Sequence, residues 1–322
     1  MEYTHLGRSG LSVSRLCLGT MNFGWHTEEG PSHAILDRAL DEGVNFLDTA
    51  NVYGFEKGKG RTEEVLGSWF AQGGDRRERS VLATKVYGGM SDWPNDTFLS
   101  ARNIVRACEA SLRRLRTDWV DLYQFHHVDL RTPWEEIWQA CETLVAQGKV
   151  LYVGSSNHAA WQLVAANAAA ARRDFLGLVS EQSHYNLLTR HVELEVLPAA
   201  RHLGIGIVPW SPLAQGLLAG VLEKAEGGRR GSERIQQQVA RHRPALEQWE
   251  AFCRDLGHPP ADVGVAWLLH RPGVTAPIVG PRTVEQFEGG LRALEIHLEE
   301  DQLRRIDEIF PGYRTAPEEY AW

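Results

Sequence analysis

The hydrophobic and polar positions along the chain follow two alternating periods. Short apolar runs rich in Val, Ile and Leu, bounded by turn residues, predict β-strands. The longer segments between them repeat their apolar residues at helical spacing and predict α-helices. The predicted strands are RLCLG (15–19), VNFLDT (44–49), SVLATK (80–85), WVDLYQF (119–125), VLYVGSS (150–156), LVSEQS (178–183), IGIVPW (205–210) and TAPIVG (275–280). The predicted helices begin near His33, Thr62, Ala101, Thr132, Ala159, Arg190, Pro259 and Thr283.

Eight strand and helix units without a linker predict one domain over residues 1–322. Nearly continuous apolar strands are typical of parallel strands covered by helices, and eight units favour a closed (β/α)8 TIM barrel over an open doubly wound sheet. The segment YTHLGRSGLSVS (3–14) predicts a hairpin that caps the barrel floor, with Gly10 in its turn. The long polar connection after the seventh strand, residues 213–243, predicts a lid containing some helix or, alternatively, a solvated charged surface.

Composition and charge exclude several classes of protein. With 43% hydrophobic and 24% charged residues, the chain is expected to form a soluble globular protein. A net charge of -8 argues against a nucleic-acid or anionic-membrane partner. The chain has no run of eighteen apolar residues and no apolar segment at its start, so we expect a cytoplasmic protein without a membrane span. The four widely spaced cysteines predict buried thiols and no metal site, namely Cys17, Cys108, Cys141 and Cys253.

Polar side chains follow three successive predicted strands. Asp48 ends the second strand and Tyr53 lies five positions later, Lys85 ends the third, and His126 and His127 follow the fourth. The carboxyl ends of barrel strands meet at one face, where barrel enzymes place their chemistry. Taken singly, such an aspartate is often a cap, such a tyrosine packs at the rim, and a lysine is usually solvated. Their joint arrangement favours a catalytic site.

Six motifs together resemble the aldo-keto reductase superfamily, in matching order and over essentially the whole chain. They are FLDTANVYG, LATK, DLYQFH, VGSSN, EQSHYN and PWSPLAQGLLAG. The resemblance implies an NADPH-linked (β/α)8 reductase of an aldehyde, ketone or keto-sugar, and a segment around HHVDLRTPWEEIW is similar to bacterial sugar and secondary-metabolite reductases. The implied catalytic tetrad is Asp48, Tyr53, Lys85 and His126. The motif selects His126, and the alternative is that His127 is the site residue.

The chemistry of carbonyl reduction is consistent with these residue types. Reduction places negative charge on the carbonyl oxygen, which must receive a proton. A phenol has an ordinary pKa of about 10, so Tyr53 needs a nearby cation to become a useful donor. Lys85 is the candidate cation, and Asp48 on the neighbouring strand is its candidate counter-ion. The imidazole of His126 either orients the substrate carbonyl or passes a proton.

The resemblance also implies the cofactor site, although no Rossmann fingerprint is present because Pro209 replaces the third glycine in GIGIVP. Ser156, Asn157 and Gln182 are expected to bind the nicotinamide carboxamide and Trp210 to offer a flat face to its ring, the alternatives being a core Trp210 and a turn Asn157. The residues expected near the phosphates are Ser211, Leu213, Gly216, Gly280, Arg282 and Gln286. Arg282 would hold the 2′-phosphate, which favours NADPH. Many relatives have EN where this chain has Gly289 and Gly290, a departure at the adenine contacts.

Aromatic residues in the first three strand-to-helix loops predict the substrate pocket. Trp25, Phe55 and Trp93 would form its walls, with the tail EEYAW (318–322) as a further candidate, and such walls fit a sugar ring or an apolar ketone. Two alternatives to a reductase stay open. Potassium-channel β subunits share this barrel and act as cofactor-binding regulatory subunits, and an alcohol dehydrogenase runs the same chemistry in the oxidative direction. The sequence indicates neither the substrate nor the oligomeric state.

Overall fold

A computed structural model describes residues 1–223, 233–315 and 318–319 of the chain. Its strands are β1 (Tyr3–His5), β2 (Ser12–Ser14), β3 (Cys17–Gly19), β4 (Phe46–Asp48), β5 (Val81–Val86), β6 (Val120–Phe125), β7 (Val150–Ser156), β8 (Leu178–His184), β9 (Gly206–Trp210) and β10 (Ile278–Val279). Its α-helices are α1 (Glu29–Asp41), α2 (Arg61–Phe70), α3 (Ala101–Leu115), α4 (Trp134–Ala146), α5 (Ala160–Ala171), α6 (Val196–Leu203), α7 (Glu233–Leu256), α8 (Pro260–Leu269), α9 (Val284–Arg292) and α10 (Glu300–Ile309). None of these helices has the length and apolar composition needed to cross a lipid bilayer.

Strands β3 to β10 form a parallel sheet in the order β10-β3-β4-β5-β6-β7-β8-β9. The two ends of this sheet come together next to β10. The Ile207 backbone N–H on β9 donates to the Gly273 carbonyl at 3.1 Å, and the Thr275 N–H donates back to the Ile207 carbonyl at 2.8 Å. The sheet is therefore a nearly closed barrel surrounded by helices, and the predicted (β/α)8 fold is confirmed.

The predicted N-terminal hairpin is also confirmed. Strands β1 and β2 pair antiparallel, with Thr4 opposite Val13. Leu6 and Val13 are fully buried in a cluster with apolar side chains of the barrel strands, including Phe46, Leu122 and Val208. The hairpin thus closes one end of the barrel with apolar side chains, which leaves the carboxyl ends of the strands as the open mouth.

The helix boundaries differ from the sequence prediction mainly around α7. This helix begins at Glu233, inside the segment predicted as a lid, and contains Pro244. A proline lacks the N–H that an interior helical position donates, so a proline within a segment argues against a continuous helix when only the sequence is known. The helix nevertheless buries one apolar face, which includes Val239, Leu246 and Trp249. Residues 224–232 of the predicted lid lie outside the described residues. Helix α10 was not predicted.

Helices α2 and α3 make their closest approach at Gly67. A Cβ atom built at this position would overlap the carbonyl oxygen of Arg114 and lie 2.9 Å from the carbonyl carbon of Leu115. Both atoms belong to the backbone of α3 and its C-terminal end, which cannot rotate away as a side chain can. The glycine therefore sets the spacing of the two helices that pack outside β4 and β5.

We predict that Gly67→Ala destabilises the protein by about 1–3 kcal/mol, because overpacking forces the two helices apart. Gly290→Ala on α9 is the matched control, since its Cβ would meet only the Val279 side chain at 3.5 Å. Replacing an interior helical glycine by alanine there should leave stability equal or raise it by up to about 1 kcal/mol. Thermal unfolding followed by circular dichroism measures both. Equal melting temperatures for the two variants would contradict the proposed close approach.

Candidate active site

A buried ion pair lies at the mouth of the barrel. Asp48 is the last residue of β4 and Lys85 lies on the neighbouring strand β5. The Lys85 side chain is fully buried, and its Nζ lies 2.6 Å from Asp48 Oδ2. The same ammonium donates to the Thr49 carbonyl at 2.9 Å. A buried cation is therefore paired with a carboxylate and with a backbone oxygen.

The second oxygen of Asp48 accepts hydrogen bonds from two glutamines. Gln124 Nε2 on β6 donates to Asp48 Oδ1 at 3.0 Å, and Gln182 Nε2 on β8 donates to the same atom at 2.8 Å. Sequence reasoning missed Gln124, although a single amide within the apolar run VDLYQF was a usable signal. Gln182 was predicted to bind the nicotinamide carboxamide; its side-chain nitrogen donates to Asp48, and its side-chain oxygen stays available for the predicted contact.

Tyr53 contacts the ion pair from the loop after β4. Its hydroxyl accepts a hydrogen bond from Lys85 Nζ at 3.2 Å, and its ring is half-buried. The loop is held by the Gly60 N–H, which donates to the Tyr53 carbonyl at 3.0 Å. Burial raises the pKa of the Tyr53 phenol, and the Lys85 ammonium opposes this rise. The phenol is therefore neutral near pH 7 and keeps the proton that a general acid must donate.

Lys85 keeps its own proton. Burial acts to lower the pKa of its ammonium, but the attraction of Asp48, reinforced by Tyr53, outweighs this effect and raises the pKa above its ordinary value. The positive charge therefore persists across the physiological pH range. It lies beside the phenol, where it would stabilise a phenolate.

The two histidines both lie beyond the end of β6, so the alternation of side chains along a strand does not separate them. Their rings are parallel, with centroids 5.0 Å apart. His126 meets the Tyr53 ring edge at a centroid distance of 5.8 Å, whereas His127 is exposed and contacts Tyr87. Burial, together with the charge of Lys85, lowers the pKa of His126 to about 2. Of the pair, the neutral His126 imidazole is the one beside Tyr53.

The residues predicted to bind the nicotinamide lie together at the ends of β7, β8 and β9. Ser156 Oγ donates to the Gln182 carbonyl at 2.8 Å. Asn157 adopts a left-handed backbone with φ of 62°, and its Nδ2 donates to Ser156 Oγ at 2.9 Å. Trp210 Nε1 donates to Asn157 Oδ1 at 3.0 Å, and its ring stacks on His184 at 4.2 Å. Trp210 is half-buried at the mouth and is not a core residue.

The loop after β9 has an unusual backbone. Ser211, Ala214 and Gln215 have positive φ angles of 55°, 47° and 59°, a region that non-glycine residues rarely adopt, and Gly216 follows with φ of 102°. Leu213 packs by its side chain near Gly264 of α8, and its carbonyl accepts from the Gly216 N–H at 2.8 Å. Strain of this kind concentrates at functional sites. The predicted phosphate loop is thus irregular and is held in tight turns by its own backbone hydrogen bonds.

The turn before α9 carries the remaining predicted cofactor residues. The Gly280 carbonyl accepts from Asn22 Nδ2 at 2.9 Å. Gln286 Oε1 accepts from the Arg282 backbone N–H at 2.9 Å, while Thr283 caps the helix by accepting from the Gln286 N–H at 3.3 Å. Arg282 is half-buried and Gln286 is exposed at the start of the helix. These contacts order the helix N-terminus, a position that favours anions.

The structure brings together two of the three predicted substrate-pocket residues. The rings of Trp25 and Phe55 lie 4.3 Å apart at the mouth, and Phe55 is 48% exposed. Trp93 is 72% exposed, and within the described residues no ring contact joins it to the other two. Before the tail, Tyr313 stacks on His191, and residues 320–322 of EEYAW lie outside the described residues.

Comparison with known proteins identifies the family. The model of the aldo/keto reductase family matches residues 15–310. The chain belongs to the aldo/keto reductase family. The resemblance inferred from its motifs is therefore confirmed, and the match covers every strand of the barrel.

Similar proteins include both reductases and channel subunits. Over 100% of both chains, the protein is 55% identical to the uncharacterized oxidoreductase YrpG of Bacillus subtilis. It is 34% identical to a probable voltage-gated potassium channel subunit beta of Arabidopsis thaliana, over 99% of this chain and 100% of the relative. It is 30% identical to the versiconal hemiacetal acetate reductase of Aspergillus parasiticus, over 98% of this chain and 100% of the relative.

Membership of the aldo/keto reductase family supports an oxidoreductase that acts on the carbonyl group of a small molecule. Members of the family generally use NAD(P)H.

We predict that Lys85→Met abolishes turnover and destabilises the protein by about 3–5 kcal/mol, because it leaves the Asp48 carboxylate buried without its cation. The double variant Asp48→Asn/Lys85→Met should recover most of the lost stability and none of the turnover. Urea denaturation and a carbonyl reduction assay measure the two effects separately. If Lys85→Met alone were as stable as the wild type, the ion pair would not be buried away from water as described above.

Proposed function

We propose that the protein reduces the carbonyl group of an aldehyde, ketone or keto-sugar to an alcohol with NADPH, and that Tyr53 donates the proton. The observation that carries the proposal is the position of one ammonium. Lys85 Nζ contacts both Asp48 Oδ2 and the Tyr53 hydroxyl, at 2.6 and 3.2 Å. This places a permanent cation beside a neutral phenol that faces the mouth of the barrel.

Three side chains carry out the proposed proton transfer. Tyr53 donates its hydroxyl proton to the carbonyl oxygen as negative charge develops there. Lys85 stabilises the phenolate that remains, and Asp48 with its two glutamine donors keeps Lys85 in place. The proposed roles thus form one chain of contacts from the strand end of β4 to the reacting oxygen.

His126 is proposed to orient the substrate. Since the pKa of its imidazole is lowered to about 2, the ring stays neutral at physiological pH and is a poor source of an acidic proton. A neutral imidazole still offers one N–H donor for a carbonyl oxygen. Of the two roles considered from the sequence, this favours orientation of the carbonyl over proton transfer.

The donor set at the mouth fits a nicotinamide cofactor, which supplies the hydride when bound. Ser156 and Asn157 present a hydroxyl and an amide for the carboxamide, and Trp210 presents an aromatic ring. The left-handed backbone after β9 and the ordered N-terminus of α9 are both suited to phosphates. Gln182 Nε2 is used to fix Asp48, so its Oε1 is the atom that would accept a hydrogen bond from the carboxamide.

The four cysteines support a reducing, cytoplasmic environment for this reaction. All four are free and buried. Burial raises the pKa of Cys108 to about 12, and thiols in such surroundings are inert.

Two other functions use the same site. One of the relatives is a probable potassium channel subunit beta, so a regulatory, cofactor-binding role is the second candidate. An alcohol dehydrogenase working in the oxidative direction is the third. A substrate panel distinguishes them. Aldehydes, ketones and keto-sugars are assayed with NADPH and with NADH, and alcohols are assayed with NADP+ and with NAD+. Binding of NADPH without turnover of any carbonyl would favour the regulatory role.

We predict that Tyr53→Phe binds NADPH normally but reduces carbonyls about 10²–10⁴-fold more slowly, since the ring is kept and only the general acid is lost. Fluorescence titration gives the affinity and NADPH oxidation gives the rate in the same sample. Wild-type rates in this variant would remove Tyr53 from the mechanism and make His126 the first candidate donor.

We predict that Arg282→Ala weakens NADPH binding by about 1.5–3 kcal/mol, the range for a hydrogen bond to a charged group, and leaves NADH binding nearly unchanged. Arg304→Ala on the exposed side of α10 removes the same charge away from the mouth and is the control. Titration of each variant with both cofactors measures the effect. An equal loss for NADPH and NADH would assign Arg282 a structural role.

A further inference from the structure

Strand β8 carries a buried carboxylate that the proposed reaction does not use. Glu181 precedes Gln182, so the two side chains lie on opposite faces of the barrel wall. Gln182 contacts Asp48 at the mouth, whereas Glu181 is fully buried beside the residues that follow β7. Sequence reasoning took no notice of Glu181, since a carboxylate beside a motif glutamine has no distinctive local signal.

The Glu181 carboxylate accepts hydrogen bonds from β7, from β8 and from the segment at residues 155–158, here called the 155–158 turn, which comprises the last two residues of β7 and the two residues that follow. Ser155 Oγ donates to Oε2 at 2.5 Å and Ser183 Oγ donates to Oε1 at 2.9 Å. The His158 backbone N–H donates to Oε1 at 3.1 Å. Several donors therefore converge on one buried acceptor group, which is the arrangement that an ionised carboxylate requires.

The 155–158 turn is the segment that presents the proposed carboxamide ligands. Ser156 and Asn157 lie within it, and Asn157 is held at a φ of 62°. A non-glycine residue keeps such a conformation only where its surroundings enforce it. The carbonyl of Gln182 holds the turn from one side by accepting from the Asn157 N–H at 3.0 Å. On the opposite face of β8, the Glu181 carboxylate holds the turn by accepting from the backbone N–H of the next residue, His158.

We propose that Glu181 is a positioning residue, whose ionised carboxylate keeps the 155–158 turn in the conformation that binds the nicotinamide carboxamide. This inference rests on the proposed function, because it assumes that the turn receives the cofactor. Hydrogen bonds to a charged acceptor are about twice as strong as those to a neutral one. Loss of the charge should therefore loosen the turn without removing any cofactor ligand.

The charge on Glu181 is sensitive to pH near neutrality. Burial raises the pKa of its carboxyl to about 7, and the hydrogen bonds from Ser155, Ser183 and the turn limit the rise. His158 is the titratable group that faces it, with Nδ1 3.9 Å from Oε2, but that nitrogen must donate to the Ser156 carbonyl at 3.0 Å. Burial lowers the pKa of His158 to about 4, so this ring stays neutral, and burial also lowers the pKa of His127.

No other charged side chain compensates Glu181 in the part of the chain that the structure describes. Among those residues, no lysine or arginine of β7, β9, α4 or α5 forms an ion pair with it. The carboxylate thus depends on hydrogen bonds alone. Protonation as the pH falls through 7 removes the charge that these bonds stabilise, and cofactor affinity should fall with it.

The test is fluorescence titration of the full-length protein with NADPH between pH 6 and pH 8. If the ionised form is the competent one, the Kd of the wild type should be about tenfold weaker at pH 6 than at pH 8. Glu181→Gln keeps the size of the side chain and lacks the charge, so its Kd should be about tenfold weaker than wild type at pH 8 and approach the wild-type value at pH 6. The ratio of the two Kd values cancels protonation of the cofactor's 2′-phosphate, which titrates near pH 6.

Ser155→Ala provides an independent variant if Glu181→Gln folds poorly. It removes one donor to the charged form and leaves the carboxylate, so the pH at which affinity is half lost should move upwards. A wild type whose NADPH affinity is equal at pH 6 and pH 8 after correction for the phosphate, or a Glu181→Gln variant that binds as tightly as wild type at pH 8, would overturn the inference. Failure of the wild type to bind NADPH at any pH would instead overturn the proposed function, and this inference with it.

Discussion

The buried ion pair between Lys85 and Asp48 constrains the rest of the molecule. Removing two charges from water costs several kcal/mol for each ion, so the pair is stable only with close contact and further hydrogen bonds. The barrel supplies both, through a 2.6 Å contact and through amides from β6 and β8. Four strands must therefore keep their register for one cation to stay buried. The same cation then has a donor left for the hydroxyl of Tyr53.

The two faces of β8 link the proposed catalytic residues to the turn proposed to bind the cofactor. Gln182 points to the mouth and fixes Asp48, while its neighbour Glu181 points outward and holds the 155–158 turn. Because side chains alternate along a strand, adjacent residues serve two different parts of the site. A shift of one residue in the register of this strand would therefore disrupt the Gln182 contact with Asp48 and the Glu181 contact with the 155–158 turn at the same time.

Relatives with the same barrel include reductases and probable channel subunits. A shared fold does not by itself separate turnover from regulation, since function depends on the site and on its surroundings. In this protein, aromatic side chains lie at the rim of the mouth. Trp25 and Phe55 form one aromatic wall, and Tyr87 with the histidine pair forms another. These surfaces suit an uncharged ring or chain next to Tyr53.

The sequence by itself determined the barrel and the set of polar residues at its mouth. Both follow from local patterns, namely the apolar period of each segment and the residue that ends it. Only the tertiary structure decided how those residues pair. The bonds from Gln124 and Gln182 to Asp48 span 76 and 134 positions, and nothing local in the chain marks them. The structure also separated Trp93 from the other aromatic residues, and it revealed a helix through Pro244, because exposure and burial depend on neighbours that are distant in sequence.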